Sequence, residues 1–448
     1  MKTEQQYIDL FTQYEDLICK NSSPVMNAPR AEAFAAFERN GFPSLKSEDY
    51  KYTDVQKAFA PDYGLNLNRL YIPVNPYDVF RCDVPNLSTS LYFMVNDIFY
   101  DKALPKGHLP EGVYAGSLKV FTERYPQIAA QYYAHAALPD ANDPIVPLNT
   151  MLAQDGFVLY VPKNIAVERT IQLVNIFRGD KDMLANRRIL VIIEPGATAR
   201  MLVCDHSIDD VKFLGTQVVE AFIGEGASFD YYDLEESNSS TMRFSSFFLK
   251  QASNTNVVVN GITLTNGLSC NNYYVSLDGE NGEISLCGMS VLDKEQHLDT
   301  HTLIQHHVPH CKSNELFKYV LNDRAIGAFS GRIWVKEGAD KTEAYQTNRN
   351  LCATRETRMY SKPQLEIYAD DVKCSHGMTT GQLDENAMFY MRSRGIPPEE
   401  ARMLLSVAFT SDVIEHIRIP ALKDRLHNLV EKRFRGELAK CEGCRICK

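Results

Sequence analysis

Short runs of β-branched and aromatic residues recur between Asp155 and about Leu383, separated by glycine and asparagine. They include RRILVIIE, SFFLKQ, NVVVNGITLT and NYYVSL. Such runs, bounded by turn residues, predict short β-strands. A parallel β-helix can add coils of this kind without limit, whereas a single sandwich of this length would be strained. The pattern therefore predicts a β-solenoid whose repeat is degenerate, since no strict hexapeptide period is present.

Helical patterns occupy both ends of the chain. Residues 4–20 place aromatic and aliphatic side chains at three- and four-residue spacings, which predicts an amphipathic helix. A second helix is predicted from about 29 to 39. Near the C-terminus, Asp384 is a suitable N-cap, and Pro398 and Pro420 are placed to begin further helices. We therefore divide the chain into an α-rich domain (1–145), a β-helix core (146–383), a helical domain (384–440) and a cysteine-rich tail (441–448).

The charge and the apolar pattern of this 448-residue chain exclude several classes of partner and location. Its net charge of -10 disfavours nucleic acid as a partner, because such binding depends on Lys and Arg contacts to phosphate. No apolar run approaches membrane-spanning length, and the first residues do not resemble a leader peptide. We expect a soluble, cytoplasmic protein. In that compartment, we expect its eleven cysteines to be reduced thiols or metal ligands and not disulfides.

Several catalytic signatures are missing. The chain has no phosphate-binding G-x-x-x-x-G-K-[ST] loop and no dinucleotide-binding G-x-G-x-x-G after a strand. It also lacks a G-x-S-x-G nucleophile motif and an H-E-x-x-H zinc motif. We therefore expect a non-catalytic protein. A carbohydrate-active parallel β-helix enzyme stays open as an alternative, because that class has no short signature; it would need clustered carboxylates in a groove.

Five of the eleven histidines lie between positions 297 and 310. On a strand, only residues of the same parity share a face, so His297 and His301 can converge while His306 and His307 point in opposite directions. Imidazole nitrogen suits zinc, iron or copper, but the cluster shows no tight ligand spacing. Metal binding and ordinary hydrogen bonding both stay open for these histidines.

Cys374 and His376 form a second candidate site. They are two residues apart, so on a strand both side chains project to the same face. A thiolate and an imidazole could together bind a soft or borderline metal. The spacing equally fits a buried cysteine beside a turn histidine.

Cys441, Cys444 and Cys447 lie within the last eight residues. Their C-x2-C-x2-C spacing matches the start of the bacterial ferredoxin run, but the fourth cysteine of that run is absent. A cluster here would need an outside ligand. The tail is thus either a metal-binding segment, which would make a stand-alone metal-binding protein a second alternative, or a terminus with redox-sensitive thiols.

Residues 366–395, EIYADDVKCSHGMTTGQLDENAMFYMRSRG, closely resemble the signature of the SufB/SufD family. Four further segments resemble the family in the same order, and with the signature they span nearly the whole chain. These are GFPSLKSEDYKYTDV (41–55), LNTMLAQDGFVLYVPKN (148–164), HTLIQHHVPHCKSNELFKYVL (301–321) and FSGRIWVKEGADKTEAYQTNRNL (329–351). The CSHG form of the signature and the 41–55 segment are similar to the SufD branch.

The resemblance implies a right-handed parallel β-helix flanked by N- and C-terminal helical domains, in a scaffold subunit for iron-sulfur cluster assembly. It implies pairing with SufB through the β-helix, docking of the SufC ATPase on the C-terminal helices, and a homodimer as a further possibility without SufB. The hydrolysis of ATP by SufC would account for the missing phosphate loop. No permanent cofactor is implied, only a transient cluster or iron at the partner interface.

The resemblance also implies roles for particular residues. His376 falls on the family's functional histidine, which would share a site with a SufB cysteine, and Cys374 on its neighbouring cysteine. The docking region falls on the segment SVAFTSDVIEHI. Its candidate contacts for the ATPase are Phe409, Asp412, Val413, Ile414 and Ile417. The tail cysteines lie beyond the usual family end, so the resemblance implies nothing for them.

Overall fold

The computed structural model describes residues 2–76, 89–105, 107, 109–138 and 143–437. Its centre is a β-solenoid in which successive strands alternate between two sheets. A strand therefore pairs with the strand two further along the chain, and these pairings are parallel. Since a coil contains two strands and two turns, the repeat is about thirty residues, which explains the absence of a hexapeptide period.

The ten-stranded sheet consists, in spatial order, of β19 (Lys373–Gly381), β17 (Glu343–Cys352), β15 (Lys312–Leu321), β13 (Glu283–Leu292), β11 (Asn256–Thr265), β9 (Ser228–Glu236), β7 (Thr198–Ser207), β5 (Thr170–Phe177), β1 (Thr89–Val95) and β2 (Ile98–Phe99). The nine-stranded sheet consists of β18 (Arg358–Ile367), β16 (Ile326–Val335), β14 (His297–His306), β12 (Leu268–Leu277), β10 (Thr241–Gln251), β8 (Phe213–Ile223), β6 (Met183–Ile193), β4 (Phe157–Val161) and β3 (Tyr114–Ser117).

β1, β2 and β3 lie before residue 146, in the segment assigned above to the N-terminal α-rich domain. They nevertheless join the two sheets: β1 is parallel to β5, and β3 is antiparallel to β4. An unpaired strand edge exposes backbone donors and acceptors, so a solenoid needs such a covering at its first coil. Only the tertiary pairing shows that these strands belong to the solenoid.

The turns from the nine-stranded to the ten-stranded sheet stack on one another. Gly196 donates its backbone N–H to the carbonyl of Glu225 in the next coil, and Gly226 does the same to Ser253. Both glycines have a positive φ, at 70° and 66°. A residue with a Cβ is strained in this conformation, which explains why glycine punctuates the strand runs in the sequence.

The lumen of the solenoid has an apolar half and a polar half. Alternate residues of both sheets face inward, and aliphatic and aromatic side chains such as Val191, Phe247 and Leu286 form a continuous core. The polar half holds charged side chains, among them Arg243, which lies between Asp205 and Asp233. Buried ions of this kind need charged partners, so the polar half is stabilised by pairs made across coils.

Helices cover the outer face of each sheet. The N-terminal helices are α1 (Gln5–Lys20), α2 (Pro24–Asn27), α3 (Arg30–Asn40), α4 (Val55–Phe59), α5 (Leu118–Arg124), α6 (Pro126–Tyr132) and α7 (Ile145–Leu152), with a 3-10 turn at Asp101–Ala103. α1, α3 and α7 share a buried cluster with outward residues of the nine-stranded sheet, such as Phe244. This confirms the helix predicted over residues 4–20.

The C-terminal helices are α8 (Glu385–Ser393), α9 (Pro398–Glu415) and α10 (Pro420–Phe434). The carboxylate of Asp384 accepts hydrogen bonds from two backbone N–H groups of α8, so the predicted N-cap is confirmed. α9 and α10 pack on the outer face of the ten-stranded sheet, where Val413 and Leu426 contact residues such as Leu234. The two helical layers thus lie on opposite sides of the solenoid.

The C-terminal end of the solenoid is bare. β18 and β19 are the last strands of their sheets, and no described strand pairs with their outer edges. None of the residues in either strand is buried, in contrast to the strands of the preceding coils. An exposed strand edge presents backbone donors and acceptors that can pair with another chain.

Candidate functional site

Cys374 and His376 both lie on β19, at the bare end of the solenoid. Cys374 is the register neighbour of Ala344 on β17, and His376 is the neighbour of Gln346. Because Ala344 and Gln346 are buried inward-facing residues, the two side chains on β19 point to the same, inward face. The predicted common face is therefore present, and it opens at the end of the lumen.

The Cys374 side chain is half-buried and packs against the apolar half of the lumen. Burial raises the pKa of its thiol, although a hydrogen bond from the backbone of Ala344 acts in the opposite direction. A raised pKa means a smaller thiolate fraction at neutral pH, and the thiolate is the form that binds metal. Burial of Cys374 thus disfavours the thiolate form of its side chain.

The side chain of His376 is exposed, and its imidazole makes no hydrogen bond with any described residue. Among the residues that the structure describes, no group of three or more His, Cys, Asp or Glu side chains could hold a metal ion. A bound iron centre needs more donors than an imidazole and a protonated thiol supply. Cys374 and His376 therefore do not form a complete metal site within the described chain, and the face that carries them opens where the solenoid ends.

Two polar residues behind His376 do not stand out in the sequence. Gln346 and Glu315 occupy the same inward position on the two preceding strands of the ten-stranded sheet. Gln346 Nε2 donates a hydrogen bond to Glu315 Oε2 at 2.8 Å, and both side chains are buried. The only sequence signal that could have found them is their spacing of about thirty residues, which becomes meaningful once the coil length is known.

The predicted pair His297 and His301 does share the outer face of β14, while His306 points inward to the hydroxyl of Ser313. His301 Nε2 lies 3.0 Å from the carboxylate of Asp299, whose other oxygen accepts from the Thr53 hydroxyl at 2.7 Å. His297 and His301 are thus both hydrogen-bonded within the protein. These hydrogen bonds attach the segment before α4 to the solenoid; Thr53 and His297, for example, are 244 positions apart in the sequence.

This pair predicts a pH dependence of stability. Burial alone would lower the pKa of His301, but the charge and hydrogen bond of Asp299 outweigh burial, so the pKa lies above its usual value. The ion pair then stabilises the fold fully below about pH 6.5, and the contribution is lost as pH rises through the folded pKa. We expect His301→Asn to lower the melting temperature more at about pH 5.5 than at about pH 9.

The control for this prediction is Thr53→Val, which removes a hydrogen bond to Asp299 without removing a titratable group. Its effect on the melting temperature should be similar at both pH values. Equal effects of His301→Asn at the two pH values would contradict a stabilising charge on His301.

The candidate docking residues of α9 and the segment after it lie mainly against the protein itself. Val413, Ile414 and Ile417 are buried against the ten-stranded sheet. Asp412 pairs with Lys318 Nζ at 2.5 Å, and the Phe409 carbonyl accepts from the same ammonium group at 2.8 Å. These side chains attach the helical layer to the sheet, because residues of one helix at three- and four-residue spacings face its own core. The outward face of α9 carries other residues, including the exposed Leu404.

The remaining cysteines divide into two groups. Those within the described residues are free thiols: Cys19, Cys204, Cys270, Cys287, Cys311, Cys352 and Cys374. Cys82, Cys441, Cys444 and Cys447 lie outside the described residues, so metal binding by the tail stays a prediction. No helix of the described chain has the length and apolarity needed to cross a membrane.

The described chain is thus a β-solenoid with a helical layer on each sheet and unpaired strand edges at its last coil. Two family models match such a chain: the SufBD protein N-terminal region over residues 1–173 and the SUF system FeS cluster assembly SufBD core domain over residues 176–409. The chain belongs to the SufBD family of the SUF system for iron-sulfur cluster assembly.

Full-length relatives agree with this assignment. The iron-sulfur cluster assembly protein SufD of Escherichia coli is 27% identical over 403 residues, which cover 89% of this chain and 90% of the relative. A SufBD family protein of Synechocystis is 26% identical, with 87% of each chain covered. SufD of Bacillus subtilis is 22% identical, with 79% of this chain and 81% of the relative covered. These relatives are named as assembly proteins, which favours cluster assembly over the carbohydrate-active alternative.

Proposed function

We propose that this protein is a SufD-type scaffold subunit that supplies one half of a shared site for nascent cluster formation. The observation that carries the proposal is the position of His376, exposed on the last strand of a solenoid whose end is bare. A neutral imidazole is a suitable iron ligand and can also take up a proton. A partner thiolate would complete the donor set that the chain lacks. We infer no catalytic activity of its own, and a cytoplasmic location.

The partner we propose is SufB, paired edge to edge with β18 and β19. Both subunits would then form continuous sheets across the interface, and the inward faces of their last coils would meet. Iron and sulfide enter this arrangement as cargo, because no permanent cofactor is expected. Without SufB, a second copy of this chain could occupy the same edges.

His376→Ala tests the proposed site in a complex reconstituted with SufB and SufC. We expect the yield of iron and acid-labile sulfide per complex to fall about tenfold, as is typical when a group that orients or supplies a metal ligand is lost. The complex should still form, since an exposed side chain contributes little to the fold. An undiminished cluster yield would refute the assignment.

His135→Ala is the matched control for His376→Ala. His135 is also exposed, but it lies beside the turn that contacts Glu220 of β8, five strands away from β18 in the nine-stranded sheet. Its replacement should leave the cluster yield unchanged. An equal loss in both variants would indicate a general effect of removing an exposed histidine.

For SufC, we propose docking on the outward face of α9 and not through Val413, Ile414 or Ile417, whose side chains contact the sheet. Leu404 is 41% exposed on this helix, and its replacement by aspartate should reduce co-purified SufC about tenfold. Val120 of α5 is 48% exposed, so Val120→Asp makes the same chemical change on the N-terminal layer. If both variants lost the same amount of SufC, or if neither lost any, this face of α9 would be excluded as the docking site.

A further inference from the structure

Three polar side chains form a row along the inner wall of the solenoid at its bare end. Glu315 on β15, Gln346 on β17 and His376 on β19 are register neighbours in the ten-stranded sheet. Adjacent strands lie about 4.8 Å apart, so inward side chains of register neighbours are within contact distance. The row therefore leads from the buried lumen to the exposed imidazole.

Glu315, at the inner end of the row, is fixed by two hydrogen bonds. Glu315 Oε2 accepts from Gln346 Nε2 at 2.8 Å, and Glu315 Oε1 accepts from the Thr302 hydroxyl at 2.5 Å. Glu315 has no cationic partner among the described residues, and burial raises the pKa of its carboxyl to about 7. Its principal contacts are thus two hydrogen bonds, one of which holds the amide nitrogen of Gln346.

The outer end of the same amide is unsatisfied. Gln346 Oε1 is buried and has no hydrogen-bond partner among the described residues. A buried polar atom without a hydrogen-bond partner destabilises a fold. Since the amide is planar and its nitrogen is held by Glu315, its oxygen is directed away from that carboxylate. The neighbouring strand on that side of Gln346 is β19, which carries His376.

The opposite wall leaves room for this amide. Gly331 of β16 faces Gln346, and a Cβ built on Gly331 would lie only 2.4 Å from Gln346 Nε2. No real contact is that short, so any larger residue at position 331 would displace the amide. The observed position of the Gln346 amide therefore requires a residue without a side chain at position 331.

We propose that Gln346 is a positioning residue for His376, with its carbonyl oxygen accepting the N–H of one imidazole nitrogen. The other nitrogen is then unprotonated and available at the open end as a ligand or proton acceptor, because a hydrogen bond to one ring nitrogen sets the tautomer. Glu315 acts one step behind by holding Gln346. An amide does not relay protons readily, so the row orients the imidazole and does not conduct protons. The inference rests on the proposed role of His376.

The test is the tautomer of His376 in the full chain, measured by 15N NMR with labelled histidine above pH 8, where imidazole is ordinarily neutral. The wild-type protein should show one dominant tautomer, and His376→Ala assigns the signal. In Gln346→Leu the two tautomers should become mixed, and Gly331→Ala should shift the signal in the same direction. Identical His376 signals in wild type and Gln346→Leu would overturn the proposal.

Gln217→Leu is the matched control, because Gln217 is another buried, inward-facing glutamine, on β8 far from the bare end. It should leave the His376 signal unchanged; the same shift in this variant would overturn the proposal by indicating a general loosening of the lumen.

Cluster assembly provides the second readout. In the reconstituted complex, Gln346→Leu should lower the cluster yield about tenfold while co-purification with SufB persists. Glu315→Gln retains an acceptor oxygen for Gln346 and should keep most of the yield. If His376→Ala gave full yield, the proposed function would fail, yet the NMR comparison would still decide whether Gln346 orients the imidazole. A mixed tautomer in Gln346→Leu with full yield would instead exclude a positioning role in assembly.

Discussion

Arg243→Met should destabilise the folded chain by about 4 kcal/mol, because it leaves the buried carboxylate of Asp233 without its cation. Arg243 donates to Asp205 at 2.7 Å and to Asp233 at 2.5 Å, inside the polar half of the lumen. Arg187 also pairs with Asp205, but it does not reach Asp233. Urea unfolding followed by circular dichroism, compared with the wild-type chain, measures the loss.

Two further variants sharpen this prediction. Arg324→Met breaks the exposed pair with Glu295, whose side chains are 70% and 76% accessible, and should change stability by less than about 1 kcal/mol. Arg243→Met combined with Asp233→Asn should recover part of the loss, since one buried charge is then removed with its partner. Equal losses for Arg243→Met and Arg324→Met would contradict the importance of the buried network.

Met378→Pro should weaken association with SufB about 100-fold while leaving the isolated chain folded. The N–H of Lys373 bonds to the Thr342 carbonyl on the β17 side. Backbone groups alternate between the two neighbours of a strand, so the N–H of Met378 faces the free edge. Proline removes this donor and is tolerated on an edge strand when its missing N–H faces solvent. Gly377 precedes it and readily adopts the extended backbone that proline requires.

Titration calorimetry and the melting temperature of the isolated chain together check this prediction. Met378→Ala is the control, because it removes the same side chain and keeps the backbone N–H. It should bind far better than Met378→Pro. Unchanged affinity of Met378→Pro would show that SufB does not pair with this edge of β19, and a collapsed melting temperature would show that the N–H is used within the fold.

The β-solenoid itself could be predicted from the sequence because its signals are local. Strand runs such as NVVVNGITLT and turns such as Pro195-Gly196-Ala197 each occupy one short window, and the observed strands and turns lie where these patterns indicate. The common face of Cys374 and His376 also followed from the two-residue period of a strand. The sequence did not show where the solenoid begins. β1, β2 and β3 belong to its two sheets although they precede residue 146.

The run RRILVIIE shows that a local pattern predicts a strand but not the contacts of its side chains. It predicts a strand, and β6 is that strand, but its two arginines have different buried partners on opposite faces. Arg187 pairs with Asp205 inside the lumen, and Arg188 pairs with Glu220 on the outer face. Nothing in the run itself indicates either partner. Asp205 is on β7, in the other sheet, and Glu220 is on β8, which pairs with β6, so both become neighbours only when the chain coils.

The sequence by itself therefore determined the class of fold, the alternation of side chains along each strand and, through its family motifs, the link to iron-sulfur cluster assembly. The tertiary structure decided which residues meet. It placed Gln346 behind His376, turned Val413 and Ile417 toward the sheet, and left the outer edges of β18 and β19 unpaired with any described strand. The physical reason is that side-chain parity repeats every two residues within a strand, whereas contacts between coils depend on the lengths of the intervening turns and on the packing of entire strands.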